Sequence, residues 1–456
     1  MKIHPHDELL AEFATTLSQG EGSLVDHLAE CRRCRGRLLF LMDRPRGPLP
    51  GRLAEVLPWP EPSDVDYGPA IAAAERSLLA HSHALAAERA EAPFLLAELL
   101  RHPPERREML MRNYPRFQTW GVLECLIERV REQTFHSLPV ATDLGRLGLA
   151  LAECLDAAYY GEQRVEDLRG RTWGFLANAR RLAFDLTGAE EAFEIAAGHL
   201  RAGTGDPLER ALFFDLRASL RRDQRRFDAA KSLLLRALRI YRELGETHRA
   251  GRVLINLSTV HEHVGAPERA IPLLQEALTL IDVGREPRLL LNAQHNLITN
   301  LAEAGRFMEA QGLFIHARPL YASFPDAWTQ NRRHWVAGRI AYGLGQMREA
   351  EAHLRAAYGG FAEEEAAFDT ALVSLDLAAL YTAQGRTAEL KAIIEEALAV
   401  FAVGQMHREA LAGLSYLRQI AEAKGASLEV LAAVASYLKR LRHEPGLSFQ
   451  APQPIP

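Results

Sequence analysis

The sequence predicts an all-α protein: a solenoid of about seven long helical hairpins with a 40-residue period, preceded by a small metal-stapled helical head. Three observations carry this. Leu, Ala, Arg and Glu recur throughout while Val, Ile and Thr are sparse, which favours helix over sheet. A marker position returns every 40 residues at Ala230, Ala270, Ala310, Ala350 and Leu390, with Ala192 standing 38 before the series and Val430 40 after it. Gly265, Gly305, Gly345, Gly385 and Gly425 precede these markers by five, where a first helix must end and the chain must turn.

Taken in order, residues 1–42 read as two short helical runs, DELLAEFATTLSQ and GSLVDHLAECRRCRGRLLFLM. Residues 43–69 hold seven prolines, which remove backbone donors and block helix, so they form a linker or an extended arm; Trp59 points to docking of such an arm. Residues 70–160 return to helical periodicity without the markers and read as an N-terminal cap or degenerate repeats. Residues 161–442 carry the repeat, and 443–456 form a Pro-containing tail.

Within each repeat, Ala237, Ala277, Ala317, Ala357 and Ala397 follow the marker by seven, and Leu234, Leu274, Phe314, Leu354 and Ile394 follow it by four. Small residues at this spacing let two helices approach, and the larger ones fill the space between hairpins. The turn, the small-residue pattern and the period resemble the tetratricopeptide repeat over residues 161–440, with helices longer than in its commonest 34-residue form. That resemblance implies a right-handed solenoid whose first helices line a concave face.

Fourteen residues before each marker stand Asn178, Leu216, Asn256, Asn296, Val336, Asp376 and Tyr416. Asparagine is a mediocre helix former, so three at one register need an explanation. An amide both donates and accepts, which suits gripping the backbone of an extended peptide, as tetratricopeptide proteins of the kinesin light-chain kind do. Arg252, Asn292 and Arg332 lie one turn earlier, and Arg181, Thr259, Thr299 and Arg339 one turn later. The stripe is thus a candidate binding face for a protein or peptide partner. The competing reading is a merely wet face whose asparagines bond neighbouring repeats.

In the head, His27 and Cys31 stand at i, i+4 on one helical face and Cys34 lies around the next turn. Zinc favours four such N/S ligands in a closed tetrahedron, and a unit this small lacks the core to fold without one. The N-terminus offers His4 or His6 as the fourth. The arrangement His-Pro, then HLAECRRC, resembles the zinc-containing anti-sigma-factor domain of bacteria, in which an N-terminal His or Cys completes the set; by its place before Pro5, His4 matches better than His6. The resemblance implies a sigma factor or other transcription protein as partner. The spacing leaves no open catalytic position and leaves both a structural and an oxidation-responsive zinc possible.

A net charge of −5 gives no case for nucleic acid, and no apolar run approaches the length of a membrane span. The N-terminus carries acids where a signal peptide is apolar, so the expected location is cytoplasmic. Cys125 and Cys154 read as small core residues, HSH (81–83) and HEH (261–263) as exposed or turn histidines, and LRRDQRRF (219–227) as a solvated turn and helix end. No phosphate loop or nucleophile elbow occurs. The expectation is a non-enzymatic regulatory or adaptor protein. The alternative is a scaffold, or a regulatory subunit of a neighbouring enzyme, in which the zinc head only folds or docks.

Overall fold

The computed structural model describes residues 68–134, 137–403, 417, 427–441 and 450, and the chain divides into two compact units, 1–79 and 80–456. The head at 1–42, with His4, His27, Cys31 and Cys34, and the Pro-rich stretch before residue 68 lie outside the described residues.

The described residues form helices α1 (Gly68–Leu100), α2 (Pro104–Asn113), α3 (Trp120–Gln133), α4 (Leu138–Cys154) and the one-turn α5 (Ala157–Tyr160). From Glu162 the helices alternate as first and second members of hairpins: α6 (Glu162–Leu182) with α7 (Leu186–Ala202), α8 (Pro207–Asp223) with α9 (Phe227–Glu243), and α10 (Thr247–His263) with α11 (Pro267–Leu280). Next come α12 (Pro287–Glu303) with α13 (Phe307–Ala322), α14 (Ala327–Gly343) with α15 (Met347–Glu363), and α16 (Ala367–Ala383) with α17 (Thr387–Val403). Helix α18 (Leu428–Leu441) is the last described helix and packs on α16. The predicted all-helical array is the observed fold, and among the described residues no strand interrupts it.

Each first helix packs on its own second helix, and each second helix on the next first helix. Successive first helices also touch one another along the array, which marks their side as the inner one. Ala230, Ala270, Ala310 and Ala350 are fully buried, as are Ala237, Ala277, Ala357 and Ala397, while Leu234, Leu274, Leu354 and Ile394 fill the layer between hairpins. The volume limit is tight: a Cβ on Gly338 would lie 2.7 Å from Leu354 Cγ.

Local backbone geometry ends the first helices. Gly265, Gly305, Gly345 and Gly385 have φ between 69° and 75°, and the following amides of Ala266, Arg306, Gln346 and Arg386 donate back to the carbonyls of His261, Leu301, Ala341 and Tyr381. These are Schellman closures, in which a left-handed residue lets the last turn satisfy its orphan carbonyls. Phe184 and Arg225 adopt the same left-handed conformation at the equivalent turns without being glycine. Asp206 and Asp326 begin α8 and α14 by accepting from Leu208 N–H and Thr329 N–H.

Three local expectations need correction. Cys125 and Cys154 sit half-buried at the margin of the N-terminal core, and Arg112 Nη1 lies 3.9 Å from Cys154 Sγ. His261 and His263 are half-buried in the last turn of α10, where His263 Nδ1 bonds the Thr259 carbonyl at 2.7 Å. The LRRDQRRF segment is no solvated end: Arg221 is buried against Glu190, and Asp223 is held between Arg181 and Arg222. The repeat buries this stretch because the neighbouring hairpin supplies the counter-charges.

Candidate functional site

The inner stripe of the first helices is the candidate binding face, and its residues fall at fixed registers along the described helices. Residues four, seven and eleven apart on one helix share a face, so Arg252, Asn256, Thr259 and His263 of α10 align with Asn292, Asn296, Thr299 and Glu303 of α12. Arg332, Val336 and Arg339 of α14 continue the same register.

Most of the predicted contact residues are already used between units. Asn178 accepts from Arg181 at 3.0 and 3.1 Å, and Arg181 reaches on to Asp223 of the next first helix. Burial lowers the affinity of the Arg181 guanidinium for its proton; burial also pushes Asp223 up, but Arg222 and Arg181 outweigh it and hold the carboxyl below its ordinary value. Asn256 donates to Asp215 at 2.7 Å. Arg252 pairs with Glu286, and Arg339 donates to Glu303 at 3.2 Å and lies 3.7 Å from Asp376. For Arg339, burial is outweighed by Asp376 and Glu303, so its guanidinium binds its proton more tightly than usual. Thr259 spends its hydroxyl on the Ile255 carbonyl of its own helix.

The fourth hairpin differs. Asn292 makes no side-chain hydrogen bond among the described residues. Asn296 accepts from Arg332 Nη2 at 3.4 Å, leaving its Nδ2 without a partner among the described residues. One turn on, the Thr299 Oγ1 is buried from solvent and has no hydrogen-bond partner among the described residues. The Asn292 and Asn296 amides on α12, flanked by Arg252 and Arg332, therefore keep unused donors and acceptors where their neighbours are closed.

Three participants were not singled out from the sequence. Glu286 collects Arg252 Nη2, His248 Nε2 at 3.4 Å and Arg131 Nη1 at 3.9 Å. Asp215 is a buried carboxylate that burial pushes up in pKa. Trp335 donates from Nε1 to Asp376 at 2.6 Å. Asp376 and Asp215 lie at or beside the repeat's asparagine register, which is the signal that pairs them across units; Glu286 lies in an irregular loop and has none.

A sequence model of the tetratricopeptide repeat matches residues 209–281, the span of α8 to α11. No curated protein matches the chain. Among solved structures, a Rap protein complexed with Competence and Sporulation Factor superposes on 70% of this chain and 87% of its own, with a TM-score of 0.54 at 14% identity. The apo form of the quorum sensor NprR from B. thuringiensis covers 67% of this chain and 83% of its own, with a TM-score of 0.48 at 15% identity. Aspartyl phosphate phosphatase F from Bacillus subtilis covers 74% and 98%, with a TM-score of 0.43 at 15% identity. With the 40-residue hairpins and their Schellman turns, the repeat match and the Rap likeness make the fold a tetratricopeptide-type α-solenoid.

Proposed function

We propose that this chain is a non-enzymatic regulatory or adaptor protein that takes a protein or peptide partner on the inner face of its solenoid, centred on α12. The observation that carries this reading is the pair Asn292 and Asn296, whose amides keep unused donors and acceptors while Asn256, Arg252 and Arg339 are closed by neighbouring repeats and Asn178 by Arg181 of its own helix. Amides spaced by one helical turn match the alternating donors and acceptors of an extended backbone. The Rap protein of the same fold, recorded with Competence and Sporulation Factor, supports such use.

The test is affinity purification of the full chain from its native cells, with the recovered partner then titrated by calorimetry against wild type and an Asn292→Ala/Asn296→Ala pair. Each lost hydrogen bond costs about 0.5–1.5 kcal/mol, so affinity falls by about tenfold. Unchanged affinity moves the site elsewhere.

The same proposal gives the head a zinc ion on His27, Cys31, Cys34 and His4, and a sigma factor or other transcription protein as its partner. This part rests on residue spacing and on the resemblance to anti-sigma zinc domains. Metal analysis of the purified chain is expected to give one zinc per molecule, lost in Cys31→Ser, and a pull-down with residues 1–42 is expected to retain a sigma factor. A metal-free wild type removes the zinc.

A further inference from the structure

Among the described residues, ion pairs of the solenoid typically join side chains of one helix or of adjacent units, and one reaches much further. Arg131 Nη1, in the last turn of α3, lies 3.9 Å from Glu286 Oε1, nearly four repeat periods further along the chain. Helices α6, α8 and α10 stand between α3 and α12 in the stack. Packed helices lie about 8–10 Å apart, so a straight stack would separate α3 from α12 by roughly 35 Å. The contact therefore requires the intervening hairpins to curl until the N-terminal hairpin, α3 packed on α4, meets the entry to α12.

Both partners are held for this meeting. Glu128, one turn back on α3, accepts from Arg131 Nε at 2.9 and 3.0 Å and from Nη2 at 2.5 Å, which leaves Nη1 facing outward. On the other side the hairpin geometry is irregular: α11 stops at Leu280, and residues 281–286 form a loop in place of the regular turn. The Asp282 carboxylate accepts from Gly284 N–H at 2.9 Å. His248 Nδ1 accepts from Asp282 N–H at 3.1 Å, so its Nε2 carries the proton and donates to Glu286. Arg252 anchors the same carboxylate.

We propose that Arg131 and Glu286 form a salt-labile strap that holds the N-terminal hairpin closed against the entry of α12. Its side chains are 33% and 28% exposed, so water and ions reach it, and it is the kind of pair that screening releases. Arg252, which shares Glu286, lies on the inner stripe, and Asn292 follows Glu286 by six residues on α12. Opening or closing the strap therefore moves the border of that stripe. The strap stands on its own contacts and does not depend on what the stripe binds.

The test uses the full chain with genetically encoded spin-label side chains at the exposed positions Glu132 and Arg285, which avoids the native cysteines, and pulsed dipolar distance measurement. Wild type at low salt is expected to give a short, narrow distance. Arg131→Glu at low salt, and wild type in 1 M NaCl, are expected to lengthen and broaden it, with the closed fraction falling several-fold. Arg129→Glu, a like charge reversal two residues away, is expected to leave it unchanged, and far-ultraviolet circular dichroism confirms that all variants stay folded. A wild type without the short distance overturns the strap. So does an Arg131→Glu chain that matches wild type, or an Arg129→Glu chain that opens equally.

Discussion

Asn256 Nδ2 donates to the Asp215 carboxylate at 2.7 Å and so ties the inner faces of two successive hairpins. Asp215 is buried, and burial pushes its pKa up while Asn256 and the nearby Arg252 and Arg222 oppose that shift. Removing the amide leaves a buried carboxylate with one donor fewer. Asn256→Ala is expected to cost about 1–3 kcal/mol in denaturant unfolding. Asn256→Asp places a second carboxylate against the first and is expected to cost more at pH 7 than at pH 5, because protonation of either one relieves the repulsion. A pH-independent penalty for Asn256→Asp would mean that the two groups do not meet.

The left-handed turns allow a clean measurement of backbone strain. Nothing lies within 4 Å of a Cβ built on Gly305, so Gly305→Ala tests φ alone and is expected to lose about 1 kcal/mol. Phe184 occupies the same conformation with its ring 70% exposed, and Phe184→Gly is expected to gain up to about 1 kcal/mol. Thermal midpoints that move in the same direction for both substitutions contradict the assignment.

Close helix approach is tested at Gly338. Its added Cβ would meet Leu354 Cγ at 2.7 Å and the Leu354 backbone nitrogen at 3.2 Å, so side-chain rotation alone does not relieve the clash. Gly338→Ala is expected to destabilise by about 1–3 kcal/mol, and to cost less in a Leu354→Ala background than in wild type, because one of the two collisions is then gone. Equal stability of Gly338→Ala and wild type, in a melt followed by circular dichroism, would place α14 and α15 further apart.

Acid should weaken the array through His295. It is buried against the Tyr321 hydroxyl at 2.7 Å, and burial, then Arg332, pushes its pKa well below the ordinary histidine value. Below about pH 6.5 the unfolded chain takes up a proton that the folded chain refuses. Stability therefore falls as pH drops below that point, by at most about 1.4 kcal/mol per pH unit for this one group. In His295→Gln the difference in unfolding free energy between pH 7 and pH 5.5 is expected to shrink. An unchanged difference assigns the acid sensitivity to other groups.

Much of the fold was legible because its causes are local or strictly periodic. The alanines at the marker and seven beyond it are buried, all but Ala317 completely, as their spacing demands, and four of the five predicted glycines have the positive φ that a Schellman turn requires; the fifth, Gly425, lies outside the described residues. The face carrying Asn178, Asn256 and Asn296 was legible too. Its use was not, since Asn178 closes on Arg181 and Asn256 on Asp215 while Asn296 keeps its Nδ2 without a partner among the described residues, although all three share one register. Phe184 and Arg225 in left-handed turns also escaped the sequence, because neighbouring structure overrides their own preference.

The amino-acid sequence by itself determined the period, the helical registers and the turns, because a turn's φ and a helix's small-residue seam are dictated within one hairpin. Tertiary structure decided which polar groups of the inner stripe are spent and which remain open. Their partners lie a whole unit away, as Asp215 does from Asn256, or nearly four units away, as Glu286 does from Arg131. Coulombic and hydrogen-bonding partners at those separations are set by the curl of the stack, and no local pattern in the chain encodes that curl.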